Sequence, residues 1–84
     1  MRHRPRVVIY VEILSELRER PSGRTRLSRV ANLSYDKCVE ILGELESKGL
    51  VIRMSQDEHE TYGVTPDGSK VVDEWNKLWE RLRP

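Results

Sequence analysis

The 84-residue chain has no phenylalanine and only one cysteine, Cys38. A lone cysteine excludes an internal disulfide, and its spacing from His3 and His59 does not suit a structural zinc site, whose ligands come in pairs about two to five residues apart. No segment approaches the roughly 20 apolar residues of a membrane span, and the N-terminus lacks the apolar run of a secretory signal. We therefore expect a cytoplasmic protein without a membrane segment, a metal ion or a cofactor.

Motifs of catalysis are also missing. The sequence has no glycine-rich phosphate loop, no nucleophile elbow, and no cluster of polar residues with an obvious pocket. Its length permits one domain, because a chain below roughly 100 residues buries enough apolar surface for only one modest core. We expect a single domain over residues 1–84 and no enzymatic activity.

Positive charge is concentrated at one end of the chain, although the net charge is only +1. Residues 1–29 hold eight arginines against three glutamates, whereas residues 30–84 hold seven basic residues against eleven acidic ones. Guanidinium groups offer forked donors to phosphate oxygens, so the arginine-rich third suits contact with nucleic acid. The alternative is a solvated face whose arginines pair with acids along the same helix.

Apolar residues recur at helical spacing in the first part of the chain. Residues 5–20 form the first predicted helix, with proline in its first turn. A second helix, barely two turns long, covers residues 26–31 and has Thr25 as its predicted N-cap. The proline and glycine of residues 21–23 separate the two helices.

A third helix is predicted over residues 35–48. Ser34 is a suitable N-cap, and Gly49 provides the left-handed residue that often follows a helix. The predicted buried stripe consists of Cys38, Ile41, Leu42 and Leu45. Cys38 is therefore interpreted as a small core residue and not as a nucleophile.

The second half of the chain predicts a β-hairpin and one more helix. Residues 50–54 and 61–64 are short, rich in β-branched residues, and separated by the polar run 55–60, which we expect at the hairpin tip. Thr65 then places a capping hydroxyl before a proline, the usual start of a helix, here over residues 66–83.

The order of these elements predicts a mainly α fold with a small β-hairpin. A short helix, a tight turn and a capped helix over residues 25–48 form a helix-turn-helix, and the hairpin over residues 50–64 is its wing. The C-terminal helix 66–83 completes a winged helix-turn-helix.

The sequence also resembles a known family, the small archaeal winged-helix DNA-binding proteins, which include the ten-kilodalton chromatin-type proteins of Sulfolobus. The matching residues are Thr25-Arg26, Ala31-Asn32-Leu33-Ser34-Tyr35, Gly49-Leu50, Tyr62, Val64-Thr65 and Gly68. The resemblance implies binding of double-stranded DNA by the third helix and wing, a role in transcription regulation or chromatin architecture, and association with the nucleoid. It also implies a homodimer through an antiparallel pair of C-terminal helices.

The C-terminal helix carries more apolar surface than one small domain usually needs. It is shorter than the family's coiled coil, but it retains an apolar stripe that we expect to form the dimer interface. The stripe consists of Val71, Trp75, Leu78, Trp79 and Leu82. The alternative is that both tryptophans cover the first helix.

Candidate DNA contacts lie around the helix-turn-helix. Phosphate contacts are predicted from Arg24, Thr25, Arg26, Arg29 and Arg53. Bases are predicted to be read by Ser34, Tyr35 and Lys37, because the N-terminal residues of a recognition helix reach furthest into the major groove. Capping alone is an equal alternative for Thr25 and Ser34.

The exposed face of the third helix is acidic, which opposes DNA binding. Asp36 suits the positive end of the helix dipole, and acids also accept hydrogen bonds from cytosine. Glu44 and Glu46 are expected to face solvent or to pair with neighbouring side chains. The acidic face leaves open a second hypothesis, a winged helix that contacts another protein.

Two further basic features have open interpretations. Arg2, Arg4 and Arg6 suit either a basic arm that follows the DNA backbone or a disordered terminus. His59 lies on the predicted wing between two glutamates, where it is either a solvated loop histidine or a cation that contacts a phosphate.

Overall fold

The computed structural model describes residues 4–56 and 58–84. Its elements follow the predicted order and confirm a mainly α winged helix-turn-helix with one antiparallel hairpin. They are α1 (Arg6–Glu19), α2 (Arg24–Val30), α3 (Tyr35–Ser47), β1 (Val51–Gln56), β2 (His59–Val64) and α4 (Pro66–Leu82). Within the described part of the chain, no helix is long and apolar enough to span a membrane.

One apolar core holds the elements together. The predicted stripe of α3 is buried, including Cys38, and it belongs to the same cluster as the buried residues of α1. The other buried members are Ile9, Ile13, Leu14, Leu17, Leu27, Ala31, Val51, Tyr62 and Val72. Every element contributes to this cluster, so the helix-turn-helix and the wing pack on the same core.

Two of the predicted N-caps are confirmed. The Ser34 hydroxyl accepts a hydrogen bond from the Lys37 amide at 3.1 Å, and the Thr65 hydroxyl accepts one from the Gly68 amide at 3.0 Å. Each bond satisfies one amide that the first helical turn leaves unpaired. Ser34 therefore fixes where α3 begins.

The prediction of Thr25 as an N-cap is wrong. Helix α2 begins at Arg24 and its N-cap is Gly23, so Thr25 lies inside the first turn with its side chain exposed. The reason is tertiary, since the backbone of Ser22 is paired with Tyr62 of the wing. That pairing fixes the chain just before α2 and allows the helix to start earlier than the cap pattern suggests.

In the turn between α2 and α3, a residue in the left-handed backbone conformation, Asn32, ends α2. Asn32 has φ of 56°, its amide donates to the Arg29 carbonyl at 3.2 Å, and the Leu33 amide donates to the Ser28 carbonyl at 2.8 Å. Gly49, with φ of 73°, ends α3 in the same way. These paired bonds satisfy the last helical carbonyls and set the angle between consecutive elements.

The strands of the wing are longer than predicted. Its strands pair in register from Val51↔Val64 to Gln56↔His59, so most of the polar run 55–60 is strand and not tip. The strand pairing is made by backbone groups, and an exposed wing needs no apolar side chain to form it. A prediction based on the pattern of apolar residues therefore ends both strands too early.

Helix α4 is fastened to the point where α3 meets the wing. The Thr65 hydroxyl donates to the Gly49 carbonyl at 2.7 Å, and the Thr65 amide donates to the Leu50 carbonyl at 3.1 Å. A Cβ at Gly68 would overlap the Leu50 carbonyl oxygen, so only glycine permits this approach. Part of α4 lies against α1.

Candidate nucleic-acid interface

The root of the wing is joined to the start of α2 through Tyr62. This side chain is only 2% exposed, and its backbone exchanges two hydrogen bonds with Ser22, at 2.8 and 3.1 Å. The guanidinium groups of Arg24 and Arg53 lie 5.6 and 5.7 Å from the centre of its ring. These distances permit cation–π attraction, which places both arginines at the junction of α2 and the wing.

Arg24 and Arg53 also converge on one carboxylate. The Glu60 Oε1 atom lies 2.9 Å from Nη2 of Arg24 and 3.7 Å from Nε of Arg53, which also pairs with Glu46 at 3.0 Å. The Arg24 Nε atom is buried and has no hydrogen-bond partner within the described part of the chain. Arg24 and Arg53, two of the residues predicted to contact phosphate, therefore lie next to each other and share Glu60 as their partner.

An open depression of about 390 Å³ lies beside this junction. It is bounded by the start of α2, the start of α3 and the wing. The lining residues are Gly23, Arg24, Thr25, Arg26, Tyr35, Glu58, His59 and Glu60. The structure therefore brings Arg24, Thr25, Arg26 and Tyr35 together, and it places His59 on the facing wall.

The other residues predicted to contact DNA differ in whether they already form ion pairs within the protein. Arg26 donates to the Ser22 hydroxyl at 2.7 Å and pairs with Glu16 of α1. Lys37 pairs with Glu40 at 3.1 Å on the exposed surface, a contact that costs little to break. Arg29 is exposed and makes no ion pair with any residue the structure describes. Arg29 is therefore the most available cation of α2.

The acidic side chains of α3 pair with neighbouring elements. Arg6 of α1 contacts Glu40 at 3.2 Å and Glu44 at 2.7 Å, and the Tyr10 hydroxyl donates to Glu44 at 2.5 Å. The bond from Tyr10, together with Arg6, holds the pKa of Glu44 below its ordinary value. On the opposite flank Glu46 pairs with Arg53. Of the two expectations for Glu44 and Glu46, pairing with neighbours is correct.

The N-terminal arginines do not form an arm where the structure describes them. Arg6 is the first residue of α1 and binds α3, while Arg4 pairs with Glu12 and donates to the Ala31 carbonyl. Both interpretations of Arg4 and Arg6, a basic arm and a disordered terminus, are therefore wrong. Arg2 lies outside the described residues.

The outer surface of α4 is apolar as its pattern suggests. Trp79 and Leu82 are 58% and 68% exposed, and Leu78 is half exposed. Val71 and Trp75 are partly buried. More than half of Trp79 is therefore left uncovered, and the apolar stripe continues onto the surface of the described chain.

A model of the winged helix-turn-helix family matches residues 3–82 of the sequence. The chain belongs to this family. No curated protein matches the sequence. The assignment rests on nearly the whole chain, including both helices of the motif and the wing.

Several solved structures share the winged-helix fold. The transcriptional regulator BldR from Sulfolobus solfataricus superposes with a TM-score of 0.81 at 24% identity, over 89% of this chain and 56% of BldR. The MepR–DNA complex from S. aureus gives 0.79 at 16% identity, over 88% of this chain and 64% of MepR. A variant of ZitR from Lactococcus lactis gives 0.78 at 17% identity, over 88% and 53%. This winged helix therefore spans little more than half the length of these proteins.

Sequence reasoning missed two features of the winged helix. Val39 is an apolar residue of α3 that is 38% exposed, next to the buried Cys38. Glu60 is the shared counter-ion of two arginines that are far apart in the chain. The exposure of Val39 was predictable, because it lies one residue outside the buried stripe. No feature of the sequence near Glu60 predicts its ion pairs with the two arginines. Among the described residues, no group of three or more His, Cys, Asp or Glu side chains is placed to hold a metal ion.

The pairing of Glu44 predicts how stability depends on pH. Its folded pKa lies below the ordinary value of 4.5, so its contribution is complete above pH 4.5 and is lost as the pH falls through the folded pKa. We expect Glu44→Gln to lower the free energy of unfolding near neutral pH, and the difference from the wild type to disappear in acid. Urea unfolding at a series of pH values measures this. Glu74→Gln is the control, since Glu74 makes no ion pair in the described chain; an equal effect of both variants would refute the pairing.

Proposed function

We propose that this winged helix binds double-stranded DNA, as a transcriptional regulator or a chromatin-type architectural protein. One observation carries the proposal: the face made by α2, the start of α3 and the wing presents arginines, while three of the four acids of α3, Glu40, Glu44 and Glu46, are engaged by Arg6, Tyr10, Lys37 and Arg53. Their negative charge is therefore partly neutralised within the protein. The MepR–DNA complex, which has the same fold, gives further support.

In the proposed complex the start of α3 lies in the major groove. Ser34, Tyr35 and Lys37 face the base edges, and the unpaired amides of the first turn favour a nearby phosphate. Tyr35 is half exposed, so its ring is free to make contact. The pair between Lys37 and Glu40 lies at the surface and is readily exchanged for a pair with phosphate.

Phosphates on either side of the groove are contacted by α2 and the wing. Arg29 and Thr25 are exposed on α2, and Arg24 and Arg53 are held beside each other by Glu60. A backbone phosphate, like the Glu60 carboxylate, carries one negative charge over two acceptor oxygens, so it can replace that carboxylate as the partner of both arginines. Arg26 contributes mainly by orienting α2 through Glu16. Binding of this kind, dominated by phosphates, keeps the protein on the nucleoid.

The alternative hypothesis, a winged helix that contacts another protein, has less support than DNA binding. It was suggested by the acidic face of α3, but Glu40, Glu44 and Glu46 all have cationic or hydroxyl partners within the chain. No other observation favours that hypothesis over DNA.

We also propose that the protein is a homodimer through α4. Trp79, Leu78 and Leu82 present an exposed apolar surface on a helix whose other side packs on α1. Burying such side chains against a second copy is favourable, by roughly 25 cal/mol for each Å² removed from water. Two copies of the helix-turn-helix would then face successive turns of one duplex.

Arg29→Ala tests DNA binding. If Arg29 contacts one phosphate, its loss weakens binding to every duplex and reduces the slope of log affinity against log salt by about 0.9. Mobility-shift titrations at several salt concentrations measure both effects. Arg83→Ala, beyond the end of α4, removes the same charge at a distance from the proposed face and is expected to change neither. Absence of binding at low salt, or equal effects of the two variants, would contradict the proposal.

Trp79→Glu tests the dimer. We expect sedimentation to give twice the 9.9 kDa chain mass for the wild type and the monomer mass for this variant, because a carboxylate cannot be buried in an apolar interface without a partner. The fold should survive, since Trp79 is mostly exposed. Lys77→Glu places the same carboxylate on the polar side of α4 and should remain dimeric. A monomeric wild type rules the interface out.

A further inference from the structure

The junction of α2 and the wing already holds an anion, the carboxylate of Glu60. Its Oε1 atom lies 2.9 Å from Nη2 of Arg24 and 3.7 Å from Nε of Arg53. The two guanidinium groups come from different elements and lie 5.6 and 5.7 Å from the centre of the Tyr62 ring. Two arginines that converge on one carboxylate form an anion-binding site. We call this pair, Arg24 and Arg53, the junction site.

The backbone that carries Glu60 is fixed, whereas its side chain is accessible. A Cβ at Gly23 would lie 3.3 Å from the Glu60 carbonyl oxygen, so the wing packs closely against the residue before α2. The hydrogen bonds between the backbones of Ser22 and Tyr62 hold the same segment of the wing. The Glu60 side chain, in contrast, is 38% exposed. Its carboxylate can therefore leave the arginines without a change in the fold.

The Glu60 carboxylate pairs incompletely with the junction site. The Arg24 Nε atom is buried and has no hydrogen-bond partner within the described part of the chain. The 3.7 Å that separate Arg53 from Glu60 exceed the length of a hydrogen bond, and Arg53 also pairs with Glu46 at 3.0 Å. A buried donor without a partner costs free energy. The arrangement in the free protein is therefore one that another anion can replace.

The junction site is reached from the proposed DNA face. The open depression of about 390 Å³ lies between α2, the start of α3 and the wing, and both Arg24 and Glu60 line it. Thr25 and Tyr35, which are proposed to contact DNA, line the same depression. A phosphate that enters the depression therefore meets the arginine that Glu60 occupies.

We propose that Glu60 is an intramolecular competitor of DNA, which occupies the junction site in the free protein and is displaced by a backbone phosphate. The inference rests on the proposed DNA binding and adds how that binding is regulated. A group on the same chain acts at an effective concentration on the order of millimolar, so a free anion at a lower concentration does not displace it. A duplex does, because its contacts with α3 and Arg29 hold its phosphates beside the site. Glu60 thereby reserves the junction site for a duplex that is already bound elsewhere on the face.

Removing the competitor should strengthen DNA binding. Glu60→Gln keeps the shape of the side chain and removes its charge. We expect the Kd for a duplex of arbitrary sequence to fall by about two- to fivefold, which is the factor that one surface ion pair contributes. Fluorescence anisotropy at constant salt measures the change. Glu58→Gln is the control, since Glu58 lines the same depression but makes no ion pair with any residue the structure describes. An equal gain in both variants would overturn the inference, because net charge alone would then explain it.

A second background separates competition from long-range repulsion. In a chain that carries Arg24→Gln and Arg53→Gln, Glu60→Gln should no longer tighten binding at low salt, since no guanidinium group is left for it to release. A gain of the same size in this background would show that Glu60 repels DNA without occupying a site, and would also overturn the inference.

A measurement without DNA separates the inference from the proposed function. The NMR signals of the Nε–H groups of Arg24 and Arg53 are followed while inorganic phosphate replaces chloride at constant ionic strength. We expect them to respond at a phosphate concentration two- to fivefold lower, roughly, in Glu60→Gln than in the wild type. Equal responses would overturn the inference and leave DNA binding intact. A wild type that binds no duplex at low salt would overturn the proposed function, and with it the role of Glu60 as a competitor of DNA.

Discussion

The attachment of the wing to the start of α2 through Tyr62 is the constraint on which the rest of the structure depends. The buried ring joins the core, the backbone of Tyr62 pairs with Ser22, and the guanidinium groups of Arg24 and Arg53 lie close to the ring. This single contact determines where α2 begins and how the wing is oriented. It also brings together two arginines that are 29 positions apart in the sequence. Because these arginines share Glu60, they are held in place before any ligand arrives.

A second consequence concerns the recognition helix, whose composition alone opposes contact with DNA. Three of its four acids, Glu40, Glu44 and Glu46, are engaged by α1 or by the wing, so the same ion pairs orient the helix and reduce its repulsion of phosphate. Surface ion pairs of this kind stabilise a fold only slightly. Their larger effect is to neutralise part of the negative charge of α3. Structural and functional roles of the charged residues therefore cannot be separated in this molecule.

The parts of the fold that depend on local chemistry were predictable from the sequence. The caps at Ser34 and Thr65 and the helix ending at Gly49 need only neighbouring residues, and all three predictions are confirmed. The failures have tertiary causes. Thr25 is not a cap because a bridge to the wing fixes the preceding residue, and the binding of Arg6 to α3 depends on groups more than 30 positions away. Candidate site residues were named by type and spacing, but their ion-pair partners were not predictable from either.

The central claim is that α2, the start of α3 and the wing form one surface for DNA. Amide NMR spectra of the isotope-labelled protein, recorded while a short duplex is added at low salt, test it most directly. The account predicts that the largest shifts come from residues 24–29 and 34–36 and from Arg53, and that high salt reverses them. Shifts confined to α4, or no shifts at low salt, would contradict it.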